Sequence, residues 1–376
     1  MWRLDGGQVL GPNGLAAGSL VFDGGVIADR DLGGGTTLDA RGLLVLPGIV
    51  DIHGDGFERQ IQPRPKVAFP HDVALRETDN QLISNGITTA YHGLTVSWEP
   101  GLRSVEAARD FLASLRALRP ALACDTKLHI RWETFALDVL DEVLDWLADE
   151  TDPIFALNDH TTPVMLGAEA QIRKLGSMAA RTGLSAEEYT AQLAYVWARR
   201  DQVPDAIKLA ATQVGAADAR LFAHDEASPE ARSAFRALGA HVSEFPMTEA
   251  TASAARAAGE HTVLGAPNVL RGGSHNGAMD ATRAVLDGLC SVLTSDYYYP
   301  ATLLAPFRLA ADHGLPIAEA WRLVSTNAAE AAGMEDRGVL EPGRRADVLL
   351  VDPSDMANPR LMCCFVAGRK VFDRRP

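Results

Sequence analysis

The sequence predicts an α/β protein: a (β/α)8 TIM-like barrel joined to a small β-sandwich domain formed by both termini. Three observations predict it. Eight short apolar runs, each ending in polar residues, recur through the middle of the chain, with amphipathic helical stretches between most of them. Residues 1–45 are rich in Gly and in short β-prone pieces, and residues 335–376 read similarly. Strands alternating with helices lead to a parallel barrel, and two β-rich ends around it suggest one small domain built from both.

The elements follow in chain order. Ser19-Leu20-Val21-Phe22, the turn signal Asp23-Gly24-Gly25 and then Val26-Ile27 read as a β-hairpin. The eight barrel strands are expected in Leu46–His53, Gly86–Gly93, Lys127–Glu133, Pro153–His160, Ala219–Glu226, His241–Pro246, His261–Asn268 and Ser291–Tyr298. Leu102–Leu118 and Ala136–Leu147 space apolar residues three and four apart, and Met247–Ala258 is Ala-rich and helix-prone. The long gap between the fourth and fifth runs reads as a helical insertion near 163–215. Ala346–Asp352 reads as a strand, and Leu361–Phe372 as a hairpin around Ala367-Gly368. The barrel is thus expected over 46–334, and the small domain over 1–45 and 335–376.

Composition narrows the class. In 376 residues, 47% are hydrophobic and 22% charged, which excludes a mostly disordered chain. A net charge of −14 argues against non-specific binding to nucleic acid or to an anionic membrane, while leaving room for an anionic substrate in a local pocket of opposite sign. Four cysteines with no CxxC pair support neither a zinc ribbon nor a disulfide framework, and they fit a reducing cytoplasm. The first residues lack a signal-peptide pattern, and no run of apolar residues is long enough to span a membrane.

Barrel enzymes carry their sites at the C-terminal ends of the strands. There the first run ends His53-Gly54-Asp55, and the third carries His129, Arg131 and Glu133 on one strand face. The fourth ends Asn158-Asp159-His160, the fifth His224-Asp225-Glu226 and the eighth Ser295-Asp296-Tyr297. Imidazoles and carboxylates converging at one barrel mouth are metal-ligand chemistry, suited to Zn, Mn or Fe. Asp296 could then orient an attacking water and take its proton. A lone His at a strand end is more often a hydrogen-bonded structural residue; the coincidence at several ends is what favours a metal.

Leu46-Pro47-Gly48-Ile49-Val50-Asp51-Ile52-His53 resembles the first barrel strand of the amidohydrolase superfamily, and so does the late segment Gly338–Val348. Pro63-Arg64-Pro65-Lys66-Val67, Glu244-Phe245-Pro246, Gly265-Ala266-Pro267-Asn268, Arg271-Gly272-Gly273-Ser274-His275 and Ser295-Asp296-Tyr297-Tyr298 together resemble one family within it. That family is the alpha-D-ribose 1-methylphosphonate 5-triphosphate diphosphatases of the carbon–phosphorus lyase pathway. The resemblance implies an amidohydrolase-type barrel and a metal-dependent hydrolase that removes diphosphate from a ribose 5-triphosphate. It implies one or two divalent metals per chain, with Zn the first expectation and Mn or Fe the alternatives. His53, Asp55 and Asp296 would hold one metal, and Glu133 would bridge to a second held by His160 and His224. The sixth strand offers Glu244 where the superfamily commonly has His. Arg64, Lys66, Arg131, Arg271 and His275 would receive the phosphorylated small-molecule substrate.

The chain departs from the family pattern in three places. Thr161-Thr162-Pro163-Val164-Met165 follows His160 where a Pro-Gly-Gln segment is common, Glu226 stands where a second Asp is usual, and Tyr297-Tyr298-Tyr299 has one Tyr more than expected. Two other readings stay open: hydrolysis of a C–N bond in a small molecule, as in deaminases, cyclic amidases and deacetylases, and a non-catalytic barrel used for assembly. A homo-oligomer is compatible with the sequence.

Overall fold

The computed structural model describes residues 1–30, 33–64, 66–167, 175–217, 219–273 and 279–375. The chain opens with a long hairpin of β1 (Trp2–Gly11) and β2 (Gly14–Asp23), continued by β3 (Val26–Ile27). Next come β4 (Thr36–Asp39) and β5 (Leu44–Pro47), which lie parallel to the first and second halves of β1. Eight strands then form a second sheet: β6 (Ile49–Gly54), β7 (Ile87–Val96), β8 (Asp125–Glu133), β9 (Ile154–Asn158), β10 (Arg220–His224), β11 (Val242–Glu244), β12 (His261–Gly265) and β13 (Val292–Thr294). The chain finishes with β14 (Val348–Asp352), β15 (Arg360–Val366) and β16 (Arg369–Asp373).

The strands from both termini share one sheet, in the order β16-β15-β14-β5-β1-β2-β3 with β4 beside β1. Its core gathers Leu4, Phe22, Val45, Val348 and Phe365, and the Phe22 and Phe365 rings meet edge to face at 5.0 Å. The first apolar run of the sequence divides between the two sheets. Leu46 and Pro47 pair antiparallel with β14, and Ile49 onward joins the barrel. Gly48 is the crossing point: a Cβ there would meet the Thr88 hydroxyl at 2.1 Å, so no larger residue fits. The Trp321 indole N–H, donating to the Pro47 carbonyl at 3.0 Å, ties this crossing to a helix of the barrel.

All seven pairings along the barrel sheet are parallel. Its strands are buried on both faces, as a parallel sheet under a helical layer must be, so the polar residues they carry, such as His92 on β7 and His129 on β8, are buried along with the apolar ones. The eighth strand closes on the first by backbone hydrogen bonds: Asp296 N–H to the His53 carbonyl at 3.0 Å, and Asp55 N–H to the Asp296 carbonyl at 2.9 Å. Buried Asp51 fastens the same seam. Its carboxylate accepts the Thr294 hydroxyl at 2.5 Å and both the N–H and hydroxyl of Ser295, at 2.9 and 2.5 Å.

Short polar residues start the helices. Ser104, Ser228, Thr248 and Asp280 each accept a backbone N–H three residues on, and Ser185 forms a reciprocal capping box with Glu188. The Ser104 cap sets the helix at Val105–Leu118, three residues later than the apolar spacing suggests. Between β9 and β10 run helices over Thr161–Met165, Leu175–Thr182, Ala186–Trp197 and Val203–Ala216. Among the described residues, no helix is long and apolar enough to cross a membrane.

One barrel residue couples the fold to acid. His92 on β7 is buried between the Phe57 and Phe111 rings, and its Nε2 has no hydrogen-bond partner among the described residues. Burial, helped by the Arg119 charge, pushes its pKa down to about 4. A folded pKa below the unfolded value of about 6.5 means that the neutral ring's contribution is complete above that value. The contribution is lost as pH falls towards the folded value. Urea unfolding at pH 8 and pH 5 should therefore show the wild type losing about 2 kcal/mol more than His92→Leu across that interval. Equal losses would show that His92 does not titrate this way.

Candidate active site

At the seam, His53 and Asp55 leave β6 on either side of Gly54. A Cβ at Gly54 would lie 2.8 Å from Asp51 Oδ2 and 3.0 Å from Ser295 Oγ, so the residue between the two donors has no space for a side chain. Asp296 follows β13 with φ 53°, Asp225 follows β10 with φ 56° and Phe245 follows β11 with φ 53°. Three non-glycine residues in the left-handed region at three barrel strand ends each cost of order 1–3 kcal/mol. Such strain persists where the surrounding structure demands a particular side-chain direction. Here the turned residues aim two carboxylates and an aromatic ring at the barrel axis, and Phe245 packs edge to face on both His53 and His224, at 5.0 and 5.3 Å.

Glu244 is the hub beneath them. Its carboxylate is fully buried, with one oxygen 2.8 Å from His53 Nδ1 and the other 2.8 Å from His224 Nδ1. A carboxylate accepts at both oxygens, so both Nδ1 atoms carry hydrogen and both rings face the mouth with Nε2. His129 stands below. Its Nδ1 donates to the Ile52 carbonyl at 2.9 Å, which leaves a buried Nε2 without a hydrogen-bond partner among the described residues, 3.7 Å from Glu244 Oε2. Burial drives the His129 pKa down to about 3. Burial also opposes charge on His53, but the adjacent Glu244 carboxylate outweighs it and raises that pKa; on His224 burial wins and the pKa falls. Burial works to raise the Glu244 pKa, yet the histidines around it hold the carboxyl well below its usual range.

Among the described residues, three sets of donors lie close enough to share a cation, their ligand atoms within 4.8 Å of one another: His53 with Asp55 and Asp296, His160 with His224 and Asp225, and His53 with His224 and Glu244. The first set fits a divalent metal best. Its imidazole is oriented from behind by Glu244, leaving Nε2 open, and its two carboxylates repel each other. Burial, and then the charge of Asp55, push the Asp296 pKa up to about 6. A cation between these groups would relieve that repulsion and use the open Nε2 of His53.

The structure thus brings together His53, Asp55, His160, His224, Asp296 and Arg131. It sets Glu133 aside from the three donor sets: its oxygens accept the His160 backbone N–H at 3.1 and 3.2 Å and the Thr161 hydroxyl at 2.9 Å, at the start of the helix over Thr161–Met165. Arg64 and Lys66 are exposed in the loop after β6. Arg271 closes the helix over Ala266–Arg271 and donates to the Tyr297 hydroxyl at 2.8 Å, while Arg59 lies over the Tyr297 ring at 5.3 Å. His275 lies outside the described residues. Sequence reasoning gave no role to His129, Asp225 or Arg59. For His129 a signal was present, since it shares a strand face with Arg131 and Glu133. For Asp225 it was present too, in the polar end His224-Asp225-Glu226 of the fifth run, whereas Arg59 had none.

The sequence profile of the amidohydrolase family matches residues 205–371. The chain is 30% identical over 363 residues to alpha-D-ribose 1-methylphosphonate 5-triphosphate diphosphatase of Escherichia coli (strain K12), covering 91% of this chain and 93% of that one. The chain belongs to the amidohydrolase family. A shorter stretch of 86 residues is 36% identical to adenine deaminase of Nitratidesulfovibrio vulgaris (strain DP4), covering 21% of this chain and 15% of that one. Solved structures share the fold. An atrazine chlorohydrolase from Arthrobacter aurescens TC1 complexed with zinc aligns with a TM-score of 0.65 at 15% identity, covering 99% of this chain and 95% of that one. A prolidase complexed with N-methylphosphonate-L-proline aligns with a TM-score of 0.63 at 17% identity, covering 99% and 100%.

The Glu244 arrangement generates a test. In Glu244→Gln the side-chain NH2 cannot accept from an imidazole N–H, so one of the two histidines loses its orientation. Affinity for a divalent cation, read by chelator competition, should fall about 10–100-fold while the circular dichroism spectrum is retained. Undiminished affinity would remove Glu244 from that role.

Proposed function

We propose that the chain is a metal-dependent hydrolase that cleaves a phosphoanhydride of a ribose 5-triphosphate phosphonate and releases diphosphate. The observation that carries this reading is the arrangement of charge around Asp296. On one side lie His53 and Asp55, a donor set for a divalent cation, and on the other Tyr297 gathers Arg271 and Arg59. The similarity to the Escherichia coli diphosphatase over 91% of this chain supports the choice of substrate. The enzyme's work is then phosphonate catabolism, with a phosphorylated small molecule as its partner.

The residues divide the labour by charge. His53, Asp55 and Asp296 would hold the metal, with Zn, Mn or Fe compatible with one imidazole and two carboxylates. A divalent cation there would supply charge for the non-bridging phosphoryl oxygens and lower the pKa of water at the site. Asp296, whose carboxyl is already biased towards holding a proton, accepts one from the attacking water as its oxygen bonds to phosphorus. The α–β anhydride bond breaks, and 5-phosphate and diphosphate separate. Arg271 offers its guanidinium charge to the polyphosphate, held in place by the Tyr297 hydroxyl at Nη1 and the Gly273 carbonyl at Nη2. Arg64 and Lys66 add charge in the loop after β6, and His275 belongs to the loop after Arg271.

Phosphate, diphosphate and ammonia release on a substrate panel decides between this reading and hydrolysis of a C–N bond, which the local similarity to adenine deaminase favours. Diphosphate from a ribose 5-triphosphate, without ammonia from purines, is expected. Asp296→Asn should lower turnover by roughly 10²–10⁴-fold even with divalent metal supplied in excess, which offsets the weakened ligand. Near-normal turnover would remove the base assignment. Arg271→Ala should raise KM for the triphosphate far more than KM for an uncharged ester, and equal changes would sink its role in holding phosphate.

A further inference from the structure

The charge beside His224 is already supplied by the protein. Arg131 rises from β8 into the barrel and is buried, at 5% exposure. Its Nη2 lies 2.9 Å from His224 Nε2. A guanidinium has donors and no acceptor, so Nη2 donates and His224 Nε2 accepts. The same tautomer is demanded from the other side of the ring, where His224 Nδ1 faces Glu244 Oε2 at 2.8 Å. A neutral imidazole has one nitrogen lone pair. On His224 that lone pair is directed at Arg131.

This bears on the second donor set. His224 Nε2 lies 3.6 Å from Asp225 Oδ2, and His160 Nε2 lies 3.8 Å from the same oxygen. A metal held by His160, His224 and Asp225 would need the His224 lone pair. Arg131 also reaches towards the first donor set, its Nη1 3.7 Å from Asp55 Oδ2. The guanidinium therefore spans the space between the two sets, with a hydrogen bond to one and an ion pair to the other.

We propose that Arg131 stands in the place of a second metal ion, so that the chain binds one divalent cation, at His53, Asp55 and Asp296, and not two. The proposal rests on the reading of those three residues as a metal site. A covalently attached charge of +1 does at His224 what an exchangeable ion of +2 would otherwise do. It neutralises part of the carboxylate charge of Asp55 and Asp296, and it cannot be removed by a chelator.

The test counts ions. The chain is stripped with a chelator, equilibrated with excess Zn²⁺ or Mn²⁺, freed of unbound metal and analysed for metal per chain. Wild type should hold one. Arg131→Met keeps the length of the stem and removes the donors, and it should hold two, with the electron paramagnetic resonance signal of the Mn²⁺ form showing a spin-coupled pair. Arg131→Met combined with His224→Ala should return to one. His224→Ala in the wild-type background, which is informative even if Arg131→Met fails to fold, should leave the count at one. Two ions on the wild type, with one lost in His224→Ala, would overturn the proposal and leave the first metal site standing. One ion on a folded Arg131→Met would show that Arg131 is not what excludes the second. No ion on the wild type would bring down the metal reading itself.

Discussion

Closure of the barrel at the β6–β13 seam is the constraint on which the rest of the site depends. His53 and Asp296 are far apart in the chain, yet two backbone hydrogen bonds and the buried Asp51 hold them side by side. An open sheet would leave edge groups unpaired and would separate the imidazole of the first strand from the carboxylate that follows the last. Asp51 is buried and accepts three hydrogen bonds from residues 294 and 295, so its desolvation is compensated within the seam. Gly54 records the same closeness from the other direction, because the approach of Asp51 and Ser295 excludes any side chain between His53 and Asp55.

Glu244 performs the equivalent task across the barrel. One carboxylate orients two imidazoles from different strands, which sets both tautomers at once and turns both Nε2 atoms towards the mouth. A His at this strand end would offer a single further ligand and would not align His53 with His224. The sixth strand thus contributes from behind the ligands, and Arg131 then meets His224 from the front. Two arginines nearer the surface, Arg59 and Arg271, converge on Tyr297 beside Asp296. The net charge of −14 therefore coexists with a mouth where positive groups are concentrated.

Much of this was legible in the residue pattern. Each of the eight apolar runs overlaps one of the eight barrel strands, because strands covered on both faces need apolar residues to pack against the helices and the barrel interior. The run from Leu46 to His53 misled only in its unity: the chain changes sheets at Gly48, and both sheets demand the same apolar residues. The hairpin at Val26-Ile27 and the one at Ala367-Gly368 follow their turn signals. His129, Arg131 and Glu133 share a strand face, and for that reason they were grouped, but successive residues on one face sit at successive depths. His129 lies deep, against the Ile52 carbonyl; Arg131 lies in the middle, at His224; Glu133 lies at the rim, where the His160 N–H meets it.

The sequence by itself determined which residues reach the mouth, since that depends on strand length, strand direction and the polar residues ending each run. These are local properties, set within a few residues of each strand end. Only the tertiary structure decided which of those residues share a partner. A lone pair on His224 or an oxygen of Glu244 can be used once, and which neighbour uses it depends on distances between strands and on backbone turns such as the left-handed one at Asp296. Hydrogen bonding falls away within a fraction of an ångström, so no spacing along the chain could distinguish a histidine open to a cation from one already facing an arginine.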